Sequence, residues 1–116
     1  MRVLILDDDR EFCEELSEFL RADGHAVHTA SDGFLAARLA FESSHDLLLL
    51  DFHVPGVNRT GLIQMMKRKN PHLKIFIVTG NPSAESLLAR ENLSGCVDKV
   101  MYKPLPAETL LNTLAA

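Results

Sequence analysis

Long apolar runs are missing from this 116-residue chain. The four leucines Leu47–Leu50, bounded by Asp46 and Asp51, fall far short of a membrane span. Cysteine is scarce: Cys13 and Cys96 are far apart and form no CxxC pair. That excludes a zinc or thioredoxin-type motif and leaves two reduced, mostly buried thiols. Positive charge is in the minority, 12 Lys and Arg against 16 Asp and Glu for a net −4, which argues against nucleic-acid binding over the whole surface. Repeats, low-complexity segments and linkers are absent, and the length suits one domain over residues 1–116 with no room expected for a separate catalytic or DNA-binding domain. Met1-Arg2 leads into only four apolar residues before an acidic cluster, which is no secretory leader, so a cytoplasmic location is expected.

What is present is alternation. Val3–Leu6 reads as a first strand, followed by Asp7-Asp8-Asp9 and a helix with Phe12, Leu16, Phe19 and Leu20 inward and Glu11, Glu14, Glu15 and Glu18 on other faces. Asp23-Gly24 ends that helix with a left-handed glycine. A second strand over His25–Ala30 leads to a helix capped by Ser31 or Asp32, with Phe34, Leu35, Leu39 and Ala40 inward. The leucine run is a strand buried on both faces, stopped by Val54-Pro55-Gly56. A loop from Gly56 to Gly61, a helix over Leu62–Lys69 burying Leu62, Met65 and Met66, and a strand over Lys74–Val78 follow. Asn81 caps the next helix with Pro82 in its first position, Leu87 and Leu88 facing inward. Val97–Tyr102 is the fifth strand and Pro106–Leu114 the last helix.

Five strand–helix alternations imply an α/β fold, a parallel sheet wrapped on both faces by helices. At this length the flavodoxin-like strand order 2-1-3-4-5 is the natural choice, because it sets the ends of strands 1 and 3 side by side. Asp7 and Asp8 then meet Asp51, with Thr79 and Lys103 flanking the same edge. Carboxylates gathered this closely need protons or a hard divalent cation between them, and an all-oxygen donor set points to magnesium. A lysine and a threonine opposite suit the oxygens of a phosphoryl group. The site reads as phosphoryl transfer onto a carboxylate, with Asp51 as nucleophile.

These motifs together resemble the receiver domain of two-component response regulators: Asp7-Asp8 after an apolar strand, Asp51 before Val54-Pro55-Gly56, Thr79-Gly80, and Lys103-Pro104. The resemblance covers essentially the whole chain. It implies that Asp51 accepts a phosphoryl group from a histidine kinase or phosphotransfer protein. It also implies that Asp8, Asp51 and the backbone carbonyl of His53 ligate Mg2+ directly, with Asp7 acting through water. Thr79 would bond the phosphoryl group, Lys103 would pair with it, and the Lys103-Pro104 bond would be cis. A downstream protein target or output domain, and a homodimer through the helix 4, strand 5 and helix 5 face, are further implications; direct nucleic-acid or membrane binding is not. The protein would be a phosphoacceptor that catalyses its own Mg-dependent phosphorylation and dephosphorylation rather than a turnover enzyme.

One loop and three single positions depart from the family pattern or tune it. Val54–Gly61 is about two residues longer than the usual loop after the acceptor. Val100 stands where the family usually has an aromatic that moves with the threonine, and Tyr102 is not assigned that role. His53 and Asn81 occupy positions that tune dephosphorylation in relatives. The alternative reading is a receiver-like interaction module that is never phosphorylated; the intact Asp7, Asp8, Asp51, Thr79 and Lys103 count against it. An aspartyl hydrolase would want a second Asp where His53 stands, and a flavin protein a hydroxyl-rich loop where the chain has three aspartates. His25, His28, His45 and His72 have no metal-like spacing and read as surface or satisfied histidines. Lys67-Arg68-Lys69 suits a helix C-terminus rather than nucleic acid.

Overall fold

The computed structural model describes residues 1–115; Ala116 lies outside them. Five strands alternate with five helices: β1 Arg2–Leu6, α1 Arg10–Ala22, β2 Ala26–Ala30, α2 Gly33–Glu42, β3 Leu47–Leu50, α3 Arg59–Lys69, β4 Lys74–Thr79, α4 Ala84–Arg90, β5 Lys99–Tyr102 and α5 Ala107–Ala115. The sheet runs β2-β1-β3-β4-β5 with every pair parallel, the flavodoxin-like order. Alternation along each strand divides the core in two. Val3, Ile5, Leu47, Leu49, Phe76 and Val78 pack towards α1 and α5, and Leu4, Leu6, Leu48, Leu50, Ile75 and Ile77 towards α2, α3 and α4. All four β3 leucines are at most 1 % exposed, as a central strand covered on both faces requires. No described helix is long and apolar enough to cross a membrane.

Local chemistry sets the helix ends. Asp9 caps α1 by accepting from Phe12 N at 3.1 Å, and Asp32 caps α2 by accepting from Leu35 N at 2.8 Å. Gly24, at φ +91°, closes α1 with bonds from Gly24 N to Arg21 O and from His25 N to Leu20 O, both 3.0 Å. Elsewhere the boundaries differ from the sequence expectation. α3 begins at Arg59, inside the expected loop, because Asn58 Oδ1 accepts from Gly61 N at 3.0 Å and caps it. α4 begins at Ala84 rather than Pro82, because Asn81 Oδ1 bonds Ser83 N at 2.9 Å and holds a turn ahead of the helix. A short 3-10 turn, Ser94–Cys96, delays β5 until Lys99.

The inward face of α2 is also rotated from expectation. Ala36 and Ala40 are buried, whereas Phe34 and Leu35 are exposed, because only small side chains fit where α2 lies close against the sheet. Phe19 on α1 is likewise exposed, and Met65 and Leu87 are half-buried. Cys13 is buried and Cys96 half-buried, both free thiols. The histidines are not all on the surface. His45 is buried before β3, its Nε2 lies 3.0 Å from His28 Nδ1, and burial together with the neighbouring His28 pushes its pKa down to about 4.

Candidate functional site

The ends of β1 and β3 are adjacent by register, Leu6 opposite Leu50. The next residue on each strand is a carboxylate. Asp51 N continues the ladder to Leu6 O, and Asp7 N bonds Ala30 O, both at 3.0 Å. Both side chains are therefore fixed by sheet geometry at the carboxyl edge, and both are buried although charged. Asp8, exposed, completes a group whose carboxylate oxygens lie within 4.8 Å of one another. Thr79 ends β4 and is fully buried, and Lys103 N is anchored to Thr79 O at 2.9 Å. From there the Lys103 ammonium reaches Asp7 Oδ2 at 2.8 Å and Asp51 Oδ2 at 3.2 Å. The Lys103-Pro104 peptide is cis.

The electrostatics separate the two buried carboxylates. Burial drives the Asp7 carboxyl above the ordinary range, with the charge of Asp51 adding to the effect and Lys103 only partly opposing it. Burial acts on Asp51 in the same sense but is outweighed by hydrogen bonds from Thr79 and His53 N and by Lys103, so this carboxyl titrates below the ordinary range. Burial disfavours the Lys103 cation, yet Asp7 and Asp51 together raise it above the usual lysine range. One cation thus faces three carboxylates, two of them buried. The surplus negative charge and the all-oxygen donor set fit a hard divalent cation.

Every expected side chain of the site meets the others here: Asp7, Asp8, Asp51, Thr79 and Lys103. His53 takes part through its backbone, N donating to Asp51 Oδ1 at 3.2 Å, while its ring points into solvent. Asn81 N donates to Thr79 Oγ1 at 3.2 Å. Val100 is half-buried against the core shared with α4.

Four neighbours were not legible in the sequence. Phe12 lies under Lys103, the ammonium 4.6 Å from the ring centre. Arg59 forms a bidentate pair with Glu91, at 2.9 and 3.0 Å, while its guanidinium lies 4.5 Å from the ring centre of Phe52, the residue after Asp51. Tyr102, opposite Thr79 in the β4–β5 register, donates its hydroxyl to Glu85 on α4 at 3.3 Å. Gly33 N donates to Pro55 O at 3.2 Å, and a Cβ at Gly33 would stand 2.6 Å from the Gly56 carbonyl carbon. The loop after Asp51 therefore rests on bare backbone at the start of α2. None of these contacts follows from local spacing; what points to the site is the set of polar residues that follow the short apolar runs, Asp7-Asp8, Asp51, Thr79 and Lys103.

A family model described as the response regulator receiver domain matches residues 3–115. A response regulator receiver protein of Anaeromyxobacter sp. is 34% identical over 105 residues, covering 89% of this chain and 44% of that protein. The response regulator MprA of Mycobacterium leprae is 29% identical over 116 residues, 100% of this chain and 50% of that protein. The chain spans about half the length of these curated relatives. A solved CheY-like receiver domain protein from Methanospirillum hungatei superposes with a TM-score of 0.82 at 25% identity, covering 98% of this chain and 90% of that one. A Burkholderia pseudomallei response regulator, solved with a phosphorylated aspartic acid, a calcium ion and citrate, gives 0.80 at 25% identity over 97% of this chain and 65% of that one. Strand order, the acidic edge and the family match converge: the chain belongs to the response regulator receiver domain family of two-component signalling.

Proposed function

We propose that Asp51 accepts a phosphoryl group from a histidine kinase or histidine phosphotransfer protein. The observation that carries this reading is the single lysine, Lys103, held between Asp7 and Asp51 at the edge where three carboxylates converge. Asp51 is the nucleophile because its ionised form is favoured, whereas burial works against charge on Asp7. One Asp51 oxygen forms the new P–O bond as the donor's P–N bond breaks, and the histidine nitrogen keeps the electron pair and takes up a proton. Lys103, released from its share of Asp51, stays within reach of the transferred group and balances its charge. Thr79 offers a hydroxyl to a phosphoryl oxygen.

Receivers of this family bind Mg2+ at an acidic cluster, and they work with histidine kinases and output domains. In this chain Asp8, Asp51 and the His53 carbonyl would hold the ion directly, with Asp7 through water. When bound, the ion supplies charge neutralisation for the developing phosphoryl oxygens. The Burkholderia pseudomallei relative, with its phosphorylated aspartic acid and calcium ion, supports this assignment. The protein would act in the cytoplasm as a phosphoacceptor that catalyses its own phosphorylation and dephosphorylation. His53 and Asn81 would set the lifetime of the phosphoryl group. Phosphorylation would bias the α4, β5 and α5 surface towards a downstream protein, an output domain or a second copy.

Incubation with acetyl phosphate, with and without Mg2+, followed by intact-mass analysis tests the reading. One phosphoryl gain that requires Mg2+ and disappears in Asp51→Asn is expected. No gain from a folded protein would overturn it in favour of a phosphorylation-independent interaction module.

A further inference from the structure

The most exposed large apolar side chains in the molecule are Phe34, 85% exposed, and Phe41, 72% exposed. They lie seven residues apart on α2, so with the exposed Ala37 between them they form one outward stripe. Phe34 and Ala37 line a groove of about 380 Å³ between α2 and α3, whose other wall is Met65, Leu62 and Val57, and Phe41 continues the stripe one helical turn beyond it. An apolar surface of this kind, open to water on a folded domain, marks an interaction site more often than chance exposure does.

Charge defines what the groove takes. α2 and α3 carry five basic residues, Arg38, Arg59, Lys67, Arg68 and Lys69, against one acid, Glu42, in a chain whose net charge is −4. Two of the five are spoken for, Arg38 by Glu42 and Arg59 by Glu91. Among the described residues no carboxylate forms an ion pair with Lys67, Arg68 or Lys69; each bonds only a neutral carbonyl, of Leu73, Gln64 and Phe41 respectively. The Lys69 ammonium lies 5.3 Å from the centre of the Phe41 ring, so free positive charge stands at the end of the apolar stripe. α1 has the opposite balance, four glutamates to two arginines.

We propose that the α2–α3 groove docks an amphipathic helix of a partner protein, apolar along one face and acidic along its edges. The helix would lay its apolar face between Phe34, Phe41 and Met65 and set its acidic edge against Arg68 and Lys69. This surface is separate from the α4, β5 and α5 face, and the docking requires neither the metal nor the phosphoryl group.

The probe is a synthetic helical peptide with leucines at i, i+3, i+4 and i+7 and flanking glutamates, paired with a twin in which lysines replace the glutamates. Amide chemical shifts of the unphosphorylated, metal-free protein are followed during titration, so the outcome is independent of whether Asp51 works. The acidic peptide should shift amides of α2 and α3, weaken with salt, and bind at least about tenfold more tightly than its twin. Phe34→Ser with Phe41→Ser, both at exposed positions, should abolish those shifts while leaving the rest of the spectrum in place. Arg68→Glu with Lys69→Glu should reverse the preference between the two peptides. Equal binding of both peptides, or shifts confined to other faces, would overturn the proposal. Sedimentation of the protein alone that shows a dimer broken by the two serine changes would instead assign the groove to a second copy. Binding to phosphatidylglycerol vesicles without binding to the acidic peptide would assign it to a membrane surface.

Discussion

The two edges of the sheet use the same residue type for opposite ends. At the amino edge, Asp46 precedes β3 and Asp98 precedes β5. Asp46 Oδ2 accepts from Arg2 N at 2.7 Å, its Oδ1 accepts from Asn70 Nδ2 at 3.2 Å, and Asp98 Oδ2 accepts from Ile75 N at 2.8 Å. These carboxylates tie strand starts together and stand apart from one another. At the carboxyl edge, Asp7, Asp8 and Asp51 crowd within one ion's reach, and Asp7 and Asp51 share a single lysine. A strand-end aspartate is structural where backbone N–H groups satisfy it in isolation. It becomes a chemical group where several compete for too little positive charge.

The sharpest way to break this comparison is to neutralise one aspartate at each edge. Asp51→Asn should abolish the phosphoryl gain seen by intact mass, whereas Asp46→Asn should leave it intact. Next in size, Lys103→Met removes the one cation from two buried carboxylates. Unfolding in urea at pH 7 should show a loss of about 3–4 kcal/mol. In that variant the Asp7 carboxyl, already raised by burial, loses the cation that opposes the shift, so the folded state binds more protons than the unfolded chain and lowering the pH to 5 should recover part of the loss.

The amino edge should respond to acid in the opposite sense. His45 is neutral when folded, with its pKa pushed down to about 4, while in the unfolded chain it protonates near 6.5. The stability it preserves is complete above pH 6.5 and falls as the pH drops towards 4, by up to about 3 kcal/mol. Urea titrations across that window should show this slope in the native protein and a shallower one in His45→Leu. His28, Arg2, Asp46 and Lys69 face His45 and shape the same window. Smaller again, Asp46→Ala should cost about 1–2 kcal/mol, the value of its two hydrogen bonds, with the phosphorylation rate unchanged. Smallest of all, Val100→Ala should leave that rate nearly unaltered in a stopped-flow assay with acetyl phosphate, since Val100 packs against the α4 side of the core rather than on the site.

The same contrast explains what could be read from the chain. Strand order and the meeting of Asp7, Asp51, Thr79 and Lys103 were legible because each stands directly after a short apolar run, and parallel topology aligns those ends. The starts of α3 and α4 were not. Asn58 and Asn81 carry the same cap-forming side chain, but the first caps its helix and the second bonds a turn ahead of one. Helical periodicity placed Phe34 inward because it counts residues and not space, and the close approach of α2 admits only Ala36 and Ala40. The pairs Arg59–Glu91, Tyr102–Glu85 and His28–His45 join residues 32, 17 and 17 apart, where no local pattern reaches.

The bare backbone contact between Gly33 and the loop after Asp51 gives the molecule an internal reporter. The Gly33 amide is shielded by Pro55 O only while that loop is seated against α2. Its hydrogen–deuterium exchange rate therefore counts the fraction of time the loop spends undocked. Slower or faster exchange at this one amide on phosphorylation would convert the chemistry at Asp51 into a clock that needs no attached probe and no partner.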